Sequence, residues 1–77
     1  MKLHIHTISS TLYDGPVDSV TLPTEDGEIT VLPHHIPLIT QLGKGTILVR
    51  KEIGSEEFLV SSGFVEISKE GITILAE

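Results

Sequence analysis

The chain has 77 residues, no cysteine, and a formal net charge of −6 from 5 Lys/Arg against 11 Asp/Glu. That length holds one small domain whose modest core favours a partner, and the lack of cysteine excludes a disulfide framework and thiolate metal sites. Five scattered basic residues cannot form the positive stripe that nucleic-acid binding demands, and no run of about 18 apolar residues offers a membrane-spanning helix.

The N-terminus alternates polar and apolar residues (Lys2-Leu3-His4-Ile5-His6) and so lacks the apolar block of a secretory signal. A soluble, cytoplasmic chain that meets a membrane only through another protein is therefore expected. The same alternation puts Leu3 and Ile5 on one face of a first strand and His4 and His6 on the other. Asp14-Gly15-Pro16 breaks the chain before a second pattern, Val20 and Leu22 against Ser19 and Thr21. Val17 and Val20 are an odd number of positions apart, so both point inward only if a bulge near Asp18 and Ser19 bends one long strand across two sheets. Ile29 and Val31 follow the Thr24-Glu25-Asp26-Gly27 turn. The apolar pair Leu38 and Leu42, with Pro37 at its start, predicts a single helical turn.

Beyond Gly43-Lys44-Gly45 the pattern returns to period two. Ile47 and Val49, Phe58 and Val60, Val65 and Ile67, and Ile72 and Ile74 each mark a half-buried strand, separated by Gly54-Ser55, Ser62-Gly63 and Glu70-Gly71. Strands with turn signals every 8 to 12 residues or so belong to an antiparallel sandwich or barrel, and no amphipathic helix of about ten residues interrupts them.

Chemistry-bearing patterns are sparse. His4, His6, His34 and His35 could gather around a metal, but polar residues alternating on an edge strand ordinarily face water, and no further ligand falls at a recognised spacing. No G-x-S-x-G elbow orders a nucleophile. Gly43-Lys44-Gly45-Thr46 lacks the spacing of a phosphate loop, and Glu52, Glu56 and Glu57 read as a solvated hairpin. No catalytic residue, metal or cofactor is expected. The segment Gly27 to Thr40 stands apart: a strand runs into a loop braced by Pro33 and Pro37, which leaves apolar and imidazole groups on a stiff surface suited to a partner. The same prolines could equally do no more than shape a corner of the sandwich, with Ile36 and Leu38 plugging its end.

Gly27-Glu28-Ile29-Thr30-Val31-Leu32-Pro33-His34-His35-Ile36-Pro37-Leu38 resembles the G-E-x-G-V-L-P-G-H-A-P-L signature of the epsilon subunits of F-type rotary ATP synthases. Ser62-Gly63-Phe64-Val65-Glu66-Ile67 and Gly71-Ile72-Thr73-Ile74-Leu75-Ala76 are similar to that family's second block, in the same order, so the likeness covers the whole chain. The resemblance implies an all-β fold, an antiparallel β-sandwich of about ten short strands over residues 1–77. It also implies a non-catalytic rotor subunit that links gamma to the c-ring, supports coupling of proton flow to ATP synthesis, and lies peripherally on the cytoplasmic face of a bacterial plasma membrane. Carried over by position, Glu28, Pro33, His34 and Ile36 are expected at the c-ring, and His35, Thr40 and Thr7 at gamma.

His34 stands where the family has glycine, which predicts an altered loop or backbone strain of about 1 kcal/mol. The family's C-terminal helical hairpin has no counterpart after Leu75-Ala76-Glu77, so neither its inhibition of hydrolysis nor its nucleotide site is expected. The competing expectations are a metal-binding or enzymatic sandwich built on the histidines and a free-standing adaptor on the same fold.

Overall fold

The computed structural model describes residues Met1–Glu77. Nine strands form, and no helix: β1 (Lys2–His6), β2 (Thr11–Pro16), β3 (Ser19–Thr24), β4 (Gly27–Val31), β5 (Leu38–Leu42), β6 (Gly45–Arg50), β7 (Ser55–Val60), β8 (Gly63–Ser68) and β9 (Gly71–Ala76). One layer runs β2-β1-β9-β8-β5 and the other β4-β3-β6-β7. They join where Thr24 of β3 pairs with Leu42 of β5. Every pairing is antiparallel except β1 with β9, which brings Leu3 beside Ile72 and Ile5 beside Ile74.

Period two explains the core. Leu3, Ile5, Val20, Leu22, Ile47, Val49, Val65, Ile67, Ile72 and Ile74 all point between the layers and are buried, as their alternation requires. Completely burying an aliphatic side chain of this size contributes about 1.5–3 kcal/mol, so this facing set is what holds two short layers together. On the β2–β7 side the gap is closed by Tyr13 against Phe58, edge to face with ring centroids 6.3 Å apart. Tyr13 also donates its hydroxyl to the Pro16 carbonyl at 3.0 Å.

Three local expectations need correction. Leu38–Leu42 is a strand, not a helical turn: β-branched Ile39 and Thr40 suit extended backbone, and β8 offers partners from Ile67 to Gly63 for the whole segment. The passage from β2 to β3 does cross between layers with Val17 and Val20 both buried, but by a break rather than a bulge. There the Val17 amide donates to Met1 O and the Asp18 amide to Arg50 O, each at 2.8 Å, handing the chain from the β1 side to β6. Finally, β1 lies between β2 and β9 and is not an edge strand. A bulge does occur in its pairing with β2, where Ile5 faces Tyr13 but His6 faces Thr11, so Leu12 is the extra residue.

Strand directions give the molecule two ends. At one lie the Thr7–Ser10 loop, the Glu25-Asp26 turn, Gly43 and Glu77; at the other lie Met1, the 32–37 loop, the Lys51–Gly54 turn and the Lys69-Glu70 turn.

Candidate docking surface

The 32–37 loop starts as a tight turn. The His35 amide donates to Leu32 O at 3.2 Å, Pro33 occupies the second position, and His34 at the third has φ 70°. Proline second and a left-handed residue third is the pattern of a type II turn, whose third position normally takes glycine. His34 is the only residue other than glycine with positive φ, so the loop carries the backbone strain expected there. His35 Nδ1 hydrogen-bonds Ile36 O at 2.7 Å and pins the second half of the loop. Ile36 ends up 75% exposed. A cleft of about 270 Å³ separates this loop from the β8–β9 turn, lined by His34, His35, Lys69 and Glu70 among others.

The residues expected to meet partners are not gathered in one place. Glu28 is exposed near the start of β4, opposite Pro23 and beside the Thr24–Gly27 turn. Pro33, His34 and Ile36 leave from the other end of that strand, at the opposite end of the molecule. Thr7 lies at the Glu28 end, where its hydroxyl accepts the Ser9 and Ser10 amides at 3.3 and 3.1 Å and so staples its own loop. Thr40 is half-buried in mid-β5, and His35 is half-buried in the braced loop.

A further feature was not anticipated from the sequence. On the outer face of the β1–β9–β8–β5 layer, Ile39, Phe64 and Leu75 are 74%, 53% and 48% exposed. Phe64 faces Leu75 directly in the ladder and lies diagonally from Ile39, whose own partner is Glu66. Three adjacent strands thus present large apolar groups to solvent side by side rather than scattered singly, the arrangement expected of an interaction surface. The signal was present in the chain: each residue is apolar on the phase of its strand that should be polar.

The two ends also differ in charge. Glu25, Asp26, Glu28 and Glu77 crowd the Thr7 end against Lys44 alone, whereas at the other Lys2, Arg50, Lys51 and Lys69 are balanced by Asp18, Glu52, Glu56 and Glu70.

The family model for the ATP synthase delta/epsilon chain β-sandwich domain matches residues 1–77. This chain belongs to that family. As a delta/epsilon-type sandwich it is similar to the ATP synthase epsilon chain of Alkalihalophilus pseudofirmus, at 40% identity over 100% of this chain and 58% of that protein. The Bacillus subtilis epsilon chain is 35% identical with the same two coverages. The chain therefore spans a little over half the length of these relatives. Among solved structures, a chain of the Euglena gracilis mitochondrial ATP synthase, determined with OSCP, F1 and the c-ring, superposes with a TM-score of 0.89 at 26% identity. That match covers 96% of this chain and 48% of the other. A chain from the Tetrahymena thermophila central stalk and c-ring shares the fold at TM-score 0.82 and 17% identity, over 99% of this chain and 62% of that one. The nine strands seen here are close to the ten or so expected of the family.

Proposed function

We propose that this sandwich is the non-catalytic central-stalk module of a bacterial F-type ATP synthase, joining gamma to the c-ring and held at the cytoplasmic face of the membrane only through that complex. The observation that carries the reading is the apolar patch of Ile39, Phe64 and Leu75 on an otherwise acidic domain. A face of this kind on a small domain with a modest core is stabilised by a permanent neighbour. The Euglena relative, solved within an assembly that contains F1 and the c-ring, supports it.

We assign Glu28, with Glu25 and Asp26 beside it, to the polar, cation-bearing loops of the ring, because one flat collar cannot meet both ends of a rigid domain. Pro33, His34 and Ile36, at the other end, then join His35 and Thr40 on the gamma side, with the apolar patch along the layer between, Ile39 toward that loop and Phe64 and Leu75 toward the Glu28 end. Thr7 shapes the loop that borders both. Apolar contact supplies most of the affinity and the carboxylates set orientation.

The test is capture of the chain by a reconstituted gamma and c-ring complex. Ile39→Asp with Phe64→Asp is expected to cut capture by gamma at least tenfold with the thermal midpoint unchanged, and Glu28→Ala to weaken capture by the ring alone. Undiminished capture by gamma in the double variant overturns the reading.

A further inference from the structure

The geometry points to a transition-metal site on β1, made by the Nε2 atoms of His4 and His6 and organised by two residues of β2. The site rests on side-chain geometry alone and does not depend on the docking reading.

His4 and His6 are two positions apart, so both rings stand on the outer face of the same strand. They are stacked, with planes 7° apart and centroids separated by 5.8 Å. Each ring is held by its Nδ1. His4 Nδ1 lies 3.0 Å from Asp14 Oδ1, and because an ionised carboxylate only accepts, the proton of the neutral imidazole is on Nδ1. His6 Nδ1 shares a hydrogen bond with Thr11 Oγ1 at 3.3 Å. That contact exists because of the bulge: in an unbroken register Leu12 would stand opposite His6 in place of Thr11. Both Nδ1 atoms are thus engaged toward β2; with Thr11 accepting from His6 Nδ1, both rings carry their free lone pair on Nε2, and the two histidines pair with Thr73 and Leu75 of β9.

A histidine whose remote nitrogen is fixed by a carboxylate is the usual second layer of a metal centre, because it sets the tautomer and raises the basicity of the ligating nitrogen. The objection that polar residues on an edge strand merely face water does not apply, since β1 is internal to its sheet. Bringing two imidazole nitrogens to about 2.0–2.1 Å from one ion requires one ring to turn. His6 can do so: its χ2 well is broad, and its hydrogen bond to Thr11 is the longer of the two. The chain supplies two ligands and no third acidic, histidine or cysteine group joins them, so water completes the coordination. Two imidazoles plus water suit a borderline ion such as Ni²⁺, Cu²⁺ or Zn²⁺ and not Mg²⁺ or Ca²⁺.

The probe is Ni²⁺ alone, titrated in a non-coordinating buffer at pH 7.5. In the unaltered chain, paramagnetic broadening is expected first at His4, His6 and Thr73, and calorimetry should give one ion per chain. His4→Asn and His6→Asn should each abolish it, Asp14→Asn should weaken it 10- to 100-fold, and His34→Ala with His35→Ala should leave it unchanged. Broadening centred on His34 and His35, or spread evenly over the chain, overturns the assignment without reference to any variant's folding. So does an Asp14→Asn chain that folds and binds as tightly as the original.

Discussion

Replacing His34 by glycine should make this domain more stable although it removes an entire side chain. His34 has φ 70° in the third position of the Leu32–His35 turn, a conformation that costs a residue with a Cβ about 1–2 kcal/mol. Glycine removes that cost but loosens the unfolded chain, which takes back about 0.4–1 kcal/mol. The difference runs from about 0 to 1.6 kcal/mol and is centred on about 0.8 kcal/mol. Unfolding entropy near the midpoint is about 2.1 cal/mol/K per residue, so for 77 residues the central value corresponds to roughly 5 °C. Valine is the opposing control: branched at Cβ, it tolerates positive φ worst and should lower the midpoint below that of the original chain. Calorimetric melts of the glycine, asparagine and valine variants should rank glycine highest and valine lowest, with asparagine between glycine and histidine. A valine variant as stable as the original would show that the turn is not held in the left-handed region, and the reasoning from loop strain would fail.

Ile74→Ala should cost about 2–5 kcal/mol by leaving a cavity at the centre of the facing layers. Against a total of about 4–12 kcal/mol for a chain of this length, that is a substantial fraction, and urea unfolding should show a midpoint lowered in the same proportion. Gly63→Ala should be far more damaging than Gly54→Ala. A Cβ at Gly63 would run into the Leu75 carbonyl oxygen, whereas one at Gly54, although also at positive φ, meets open space; equal midpoints for the two would refute this. Lys51 has its pKa raised, chiefly by its hydrogen bond to Glu56 at 2.7 Å. A folded-state pKa above the unfolded value gives stability that is complete below about pH 10.5 and is lost as pH rises through the folded pKa. The pair should therefore leave midpoints flat from pH 7 to 9, and Lys51→Met should flatten the decline above pH 10.5.

Alternation made most of the fold legible. Leu3 and Ile5, Val65 and Ile67, or Ile72 and Ile74 can be buried on one face only by extended backbone, and each pair is buried. Leu38–Leu42 misled because an apolar spacing of four positions fits a helical turn as well as a strand, and the choice was made by β8 lying alongside, a contact remote in sequence. The Leu12 bulge left no mark in the pattern, since its cause is a pairing between strands. The docking face was half-legible. Pro33 and Pro37 announced a stiff loop, and the strain at His34 followed from a residue standing where glycine belongs. That Ile39, Phe64 and Leu75 form one patch depends on strand order, which periodicity does not encode. The same holds for Glu28 and Ile36, eight positions apart yet at opposite ends of the molecule.

The single parallel pairing, β1 against β9, ties assembly to synthesis. In order of synthesis β1 precedes its inner neighbour β9 by every other strand of the domain, so Leu3 and Ile5 must wait, with only the β2 hairpin for company, until residues 71–76 are free to slide in beside them. Closure of so long a loop is slow, and during that interval the interior edge of the nascent layer stands open to any passing extended segment. A ribosome-stalled intermediate lacking β9 should accordingly be protease-sensitive from end to end and become resistant in one step once residues 71–76 have emerged.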